Sequence, residues 1–193
     1  MDPLAAHQRA QDVFAGVLAG VGPGQMDDLT PCPEWTVGEL IDHVIGGNEK
    51  VAIRAGLRSE PPARPDQVAE AHRATAAAAQ EVFAAPGGMS ALFGLPVGQM
   101  TGEDFIRIRT TDALVHAWDL AKATHQSTDL DPELSTQVLA ASQHLPDALR
   151  GPGKFFGDPQ PCDGSRPPAD QLAAFLGRSV TWVSGTPSRE MGA

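Results

Sequence analysis

The sequence predicts an all-α protein: a four-helix bundle with further C-terminal helices capping one side. Three observations lead there. Alanine gathers in long stretches of strong helix propensity. Tyrosine is absent and β-branched runs are scarce. The 17 prolines and 20 glycines cluster between the alanine-rich stretches, as helix breakers do between helices. Four substantial helices with long middle connections fit a bundle. A length of 193 residues suggests one domain, residues 1–193, with a loop-rich extension from about residue 150.

The first helix starts after Asp2, with Pro3 suited to a first helical position, and runs to about Ala19. The second opens at Thr36, where Thr36 and Glu39 fit a capping box. Its apolar side is Val37, Leu40, Ile41, Val44 and Val51, and it reaches about Leu57. The third, about Asp66 to Ala84, contains "ATAAAAQEVFAA". "PGGMSALFGLPVGQM" reads either as an irregular crossing or as a short hairpin. The fourth starts at Thr101 or Gly102 and runs to about Ala123. The fifth opens at Asp131-Pro132-Glu133, with a cap, a proline and an acid at the positive helix end, and ends near Leu149. "ADQLAAFLGRS" gives a short last helix, and "GTPSREMGA" is expected to fray.

The charge balance excludes some functions. Fourteen basic and 24 acidic residues give a formal charge of −10, which repels phosphate backbones, so no nucleic-acid partner is expected. No apolar run approaches the roughly 20 residues needed to cross a bilayer, so no membrane partner is expected either. "MDPLAAHQRAQDVF" lacks the pattern of a signal peptide, which leaves a cytoplasmic protein. Cys32 and Cys162 are far apart and read as free thiols. Small bundles often pair into homodimers, although no heptad seam demands it here.

The chemistry concentrates in "RTTDALVHAWDLAKATHQ", residues 109–126. At about 100° per residue, His116 lies about 40° from Asp112, Asp119 about −20° and Arg109 about 60°. Phe105 shares that sector, and Ile108, Val115 and Leu120 flank it. The polar stripe therefore sits within the apolar side, where burial is costly unless the groups are paired. By spacing alone, a buried ion-pair cluster led by Arg109 and Asp112 is favoured. The competing reading is a metal site, because an acid and a histidine four residues apart can grip one divalent ion.

A metal needs a further ligand. His7, His72, His125 and His144 read as surface residues. His43 lies mid-helix at the edge of the apolar stripe, followed by Gly46 and Gly47, whose missing side chains would leave room for an ion, water or ligand. His43, Asp112 and His116 make a two-histidine, one-carboxylate set that suits zinc, nickel or iron(II).

"TPCPEWTVGELIDHVIGGN" and "TTDALVHAWDLAKATHQ" resemble, in order, two signatures of the mycothiol-dependent maleylpyruvate isomerase family, among the DinB/YfiT-like metalloenzymes. "FGDPQPC" and "ADQLAAFLGRSVTW" resemble the tail of an actinobacterial branch of that family. The resemblance implies an up-down-down-up, DinB-like four-helix bundle. It also implies a divalent metal on His43, Asp112 and His116, with Asp112 standing where the isomerase has glutamate. The chemistry implied is a metal-dependent S-transferase or isomerase reaction, with mycothiol or a similar thiol as cosubstrate and a small electrophile as substrate. Arg109 then either anchors a substrate carboxylate or neutralises Asp112 or Asp119. Asp119 reads better as a helix-end ion pair than as an orienting partner for a ligand. Trp35 and Trp118 read as core packing before pocket walls, and "PCP" as a shaped entry to the second helix. The competing function is a non-catalytic helical module that binds metal or a small ligand.

Overall fold

The computed structural model describes residues 1–33, 35–61, 64–65, 67–96, 98–144, 149–151 and 154–184. Among these are six helices and one hairpin: α1 (Pro3–Leu18), α2 (Val37–Arg54), α3 (Val68–Ala84), β1 (Leu92–Leu95), β2 (Gly98–Thr101), α4 (Gly102–Ala123), α5 (Pro132–Ser142) and α6 (Pro168–Phe175).

Caps set the boundaries. The Asp2 carboxylate accepts from the Ala5 N–H at 2.9 Å and starts α1. Thr36 and Glu39 form the expected capping box of α2. That helix ends at Arg54, short of Leu57, because Gly56 turns left-handed (φ 73°) and the Gly56 and Leu57 N–H groups close on Ile53 and Ala52. Thr101 caps α4 by accepting from the Asp104 N–H. Asp131 caps α5 and also holds Arg9 of α1 as an ion pair. α5 stops at Ser142, before the expected Leu149, and residues 145–148 lie outside the described residues. So do Asp66, where α3 was expected to begin, and the terminal "GTPSREMGA".

The "PGGMSALFGLPVGQM" segment resolves as a hairpin, so the fold is not wholly helical. β1 and β2 pair antiparallel, with Leu92 opposite Thr101 and Leu95 opposite Gly98. The hairpin brings Phe93 against Phe83 and Phe105, with ring centroids 5.5 and 5.2 Å apart. Burying each such ring contributes about 1.5–3 kcal/mol.

α4 is the central element. Every residue from Ile108 to Ala121 is buried. It packs on α1 and α2, with α5 and α6 against it, and α3 packs on α1 and α2. Because α4 is enclosed all round, its polar residues must be paired inside the protein.

They are paired through a continuous polar chain. Arg109 donates to Asn48 Oδ1 at 3.0 Å, and Asn48 and Gln11 exchange hydrogen bonds at 3.1 and 3.2 Å. Gln11 reaches His7 and His72, and His7 Nδ1 donates to Gln80 Oε1 at 2.6 Å. The surface reading of His7 and His72 is therefore wrong: they are 0% and 1% exposed. Each has a neutral hydrogen-bond partner across a helix interface, which makes burial tolerable. His125 and His144 are exposed, as expected.

Burial pushes both buried rings down to about 4. In the unfolded chain they titrate near 6.5. Between pH 6.5 and about 4 the unfolded chain binds more protons, so stability falls as the pH drops through that window. The full effect is on the order of 3 kcal/mol per ring. Denaturant unfolding from pH 7 to pH 4 should show this decline, and NMR midpoints near 6.5 for both rings would contradict it.

Candidate metal centre

The capping box fixes the start of α2, and His43 follows two turns in, between Leu40 and Val44 of the apolar stripe. Ahead of it, hydrogen bonds draw Thr30, Cys32 and Trp35 into a tight arch. Thr30 Oγ1 meets the carbonyls of Cys32 and Trp35 at 2.8 Å each, and the Trp35 N–H donates to the Cys32 carbonyl. The arch lays the Trp35 ring on His43 at 4.3 Å between centroids, and edge-on to His116 at 5.4 Å. Trp35 is thus a wall of the cluster, while Trp118 is the core tryptophan, its indole N–H donating to Asp170 at 2.7 Å.

α2 and α4 bring three ligand atoms together. His43 Nε2 lies 3.4 Å and His116 Nε2 3.5 Å from Asp112 Oδ1. All three atoms lie within 4.8 Å of one another. Two ligands each about 2.1 Å from a tetrahedral ion lie about 3.4 Å apart, so these separations suit a shared divalent ion. The His43 side chain is 34% exposed against 12% for Asp112 and 5% for His116, so solvent reaches the cluster past His43.

Arg109 occupies the other side of Asp112. It donates to Asp112 Oδ2 at 2.7 Å and to the Val44 carbonyl at 3.3 Å, as well as to Asn48. Its room comes from Gly47, where a Cβ would lie 2.5 Å from Arg109 Nη1. The space beside the histidine therefore holds a guanidinium, not an ion or ligand. Both readings of the stripe describe it: the buried ion pair exists, and it sits next to a potential ligand set.

Asp119 is fully buried and accepts from His116 Nδ1 at 3.0 Å. Its second partner is Arg178, at 2.9 Å from Oδ2. Burial opposes ionisation of both aspartates, but cations outweigh it. Arg109 and then His116 hold Asp112 well below the usual carboxylate range. Arg178 and then His116 lower Asp119. Burial likewise opposes a charge on His116, yet Asp112 and Asp119 raise its pKa.

Asn48 and Arg178 belong to the site's support and were missed in the sequence. Asn48 left a signal: it is a polar residue on the α2 stripe between Val44 and Val51. Arg178 left none, because its approach depends on how the segment after α6 folds back. Two cavities, of about 290 and 270 Å³, lie elsewhere, between α1, α4 and α5 and between α2 and α3, and His43, Asp112 and His116 line neither.

A helical protein with a two-histidine, one-carboxylate cluster, one histidine anchored by a carboxylate, belongs to the class of candidate metalloproteins. The chain is a member of the mycothiol maleylpyruvate isomerase N-terminal domain family, whose sequence model matches residues 7–121. It is similar to two uncharacterised proteins of Mycobacterium tuberculosis, from strains CDC 1551 / Oshkosh and ATCC 25618 / H37Rv. Each is 62% identical over 181 residues, spanning 93% of this chain and 100% of the relative. No solved structure matches the chain. Among the described residues, no helix is long and apolar enough to cross a membrane.

The paired glycines give a sharp contrast. Gly46→Ala meets only Glu49 and Arg64 at 3.9 Å or more, so it should stabilise by up to about 1 kcal/mol through helix propensity. Gly47→Ala drives Arg109 off Asp112 and Asn48 and should destabilise by about 2–4 kcal/mol. Urea unfolding of the two variants measures the difference in sign.

Proposed function

We propose that this chain binds one divalent ion through His43, Asp112 and His116 and acts as a metal-dependent S-transferase or isomerase. The cosubstrate is mycothiol or a similar low-molecular-weight thiol, and the substrate is a small electrophile. Zinc is the preferred ion, and nickel or iron(II) fit the same donors. The observation that carries the reading is the convergence of three ligand atoms from two helices, with His116 Nδ1 taken by Asp119. That bond turns the lone pair of His116 Nε2 toward His43 and Asp112. Family membership supports the thiol chemistry.

Bound metal would favour the thiolate of the cosubstrate, the competent nucleophile. The chain's own residues prepare the place. Trp35 stacks on one face of His43 and leaves the approach past the rest of that ring open. Arg109 takes Asp112 Oδ2 and leaves Oδ1 facing both histidines. With its side chain only 7% exposed, Arg109 serves here as a positioning residue for Asp112; anchoring a substrate carboxylate would need an open one.

The fold supports the same reading. α4 and α3 each pack on both α1 and α2, which supports a four-helix arrangement of the up-down-down-up, DinB-like kind. Residues 1–193 are read as one helical domain, because α6 and the segment after it pack on α4. The net charge of −10 supports a small-molecule substrate over nucleic acid, and the protein is read as cytoplasmic.

Elemental analysis of protein purified without a histidine tag should find about one divalent metal per chain. His116→Ala should lose it while remaining helical by circular dichroism. Metal-free, fully folded parent protein would refute the metal reading. Metal-loaded protein should consume mycothiol in the presence of an electrophile panel; binding of ligand without thiol consumption would point to the non-catalytic module instead.

A further inference from the structure

Arg178 lies outside residues 7–121, the part of the chain that defines the family, yet it touches the support of the cluster. α6 ends in a Schellman turn. The Gly177 N–H donates to the Ala174 carbonyl, and the Arg178 N–H to the Ala173 carbonyl at 2.9 Å. Gly177 is left-handed (φ 99°) and crosses Gly157 so closely that a Cβ would lie 2.7 Å from the Gly157 Cα. The turn aims Arg178 back at α4. Its Nε reaches both oxygens of Asp119 at 3.1 and 3.2 Å, Nη2 reaches Oδ2 at 2.9 Å, and Nη1 donates to the Leu176 carbonyl.

Asp119 is wholly enclosed and has two jobs for its Oδ2: accepting from Arg178 and accepting from His116 Nδ1. A carboxylate free to rotate would not hold an imidazole in one plane. The guanidinium fork, itself tied to a helix end, fixes that plane. Among the described residues the same segment also bonds α4 through Asp170 with Trp118 and through the Val180 carbonyl with Lys122, and neither leads to His43, Asp112 or His116.

We propose that Arg178 is a positioning residue for His116: the C-terminal segment completes the cluster by clamping Asp119, which presents His116 Nε2 toward His43 and Asp112. The effect on metal affinity rests on the metal reading above; the effect on the His116 ring does not.

Two measurements on the full chain separate these. In metal-free protein, a hydrogen-bonded His116 Nδ1–H should give a slowly exchanging downfield proton resonance. Arg178→Gln should lose it, and Lys122→Met, which removes another tie between the segment and α4, should keep it. Cobalt(II) titration should show affinity 10- to 100-fold lower for Arg178→Gln and unchanged for Lys122→Met. Arg178→Lys keeps the charge without the fork; it should exchange faster and bind with intermediate affinity, and it carries the test should Arg178→Gln not fold. An unchanged His116 resonance in the variant that folds overturns the proposal. Parent protein that binds no cobalt refutes the metal reading while the resonance still tests Arg178.

Discussion

Arg109 and Asp112 form an ion pair in the middle of α4, where both residues are enclosed by protein. Withdrawing two charges from water costs several kcal/mol per ion, and mutual attraction offsets this only when the remaining donors and acceptors are also met. Much of the surrounding structure follows from that demand. Gly47 leaves the space for the guanidinium. Asn48 and the Val44 carbonyl accept from it, and both come from the same turns of α2. Gln11 then satisfies the amide of Asn48, and the two neutral histidines satisfy the amide of Gln11 in turn. The polar chain thus ties α1, α2, α3 and α4 into one register.

A second pair, Asp119 with Arg178, repeats the pattern nearby on the same helix. His116 stands between the two aspartates, at 3.5 Å from Asp112 and 3.0 Å from Asp119. Each aspartate gives its charge to an arginine and one oxygen to the histidine. The imidazole therefore lies between two carboxylates that are each also paired with an arginine, and its Nδ1 is held by Asp119.

The helices were legible because caps and apolar periodicity are local. Asp2, Thr36, Thr101 and Asp131 all cap where their side-chain chemistry indicates. The hairpin was harder, since β1 and β2 hold four residues each and a short apolar run fits several states. Asp112 and His116 stand out in the sequence because a polar stripe on an inward helix face is expensive, and His43 because it lies at the edge of an apolar stripe beside two glycines; the structure brings the three side chains together. His7 and His72 were misread because flanking charges made their turns look solvated, while the partners that allow burial come from other helices. Arg178 was invisible for a like reason: its partner is 59 residues away.

The sequence spacing of His43, Asp112 and His116 also bears on how the protein forms. Asp112 and His116 are four apart and come into line as soon as α4 winds, a process of microseconds or less. His43 is 69 residues from Asp112 and joins them only after that loop closes. The three side chains consequently meet only once α2 has packed on α4, so their juxtaposition is a product of tertiary assembly and not of either helix alone.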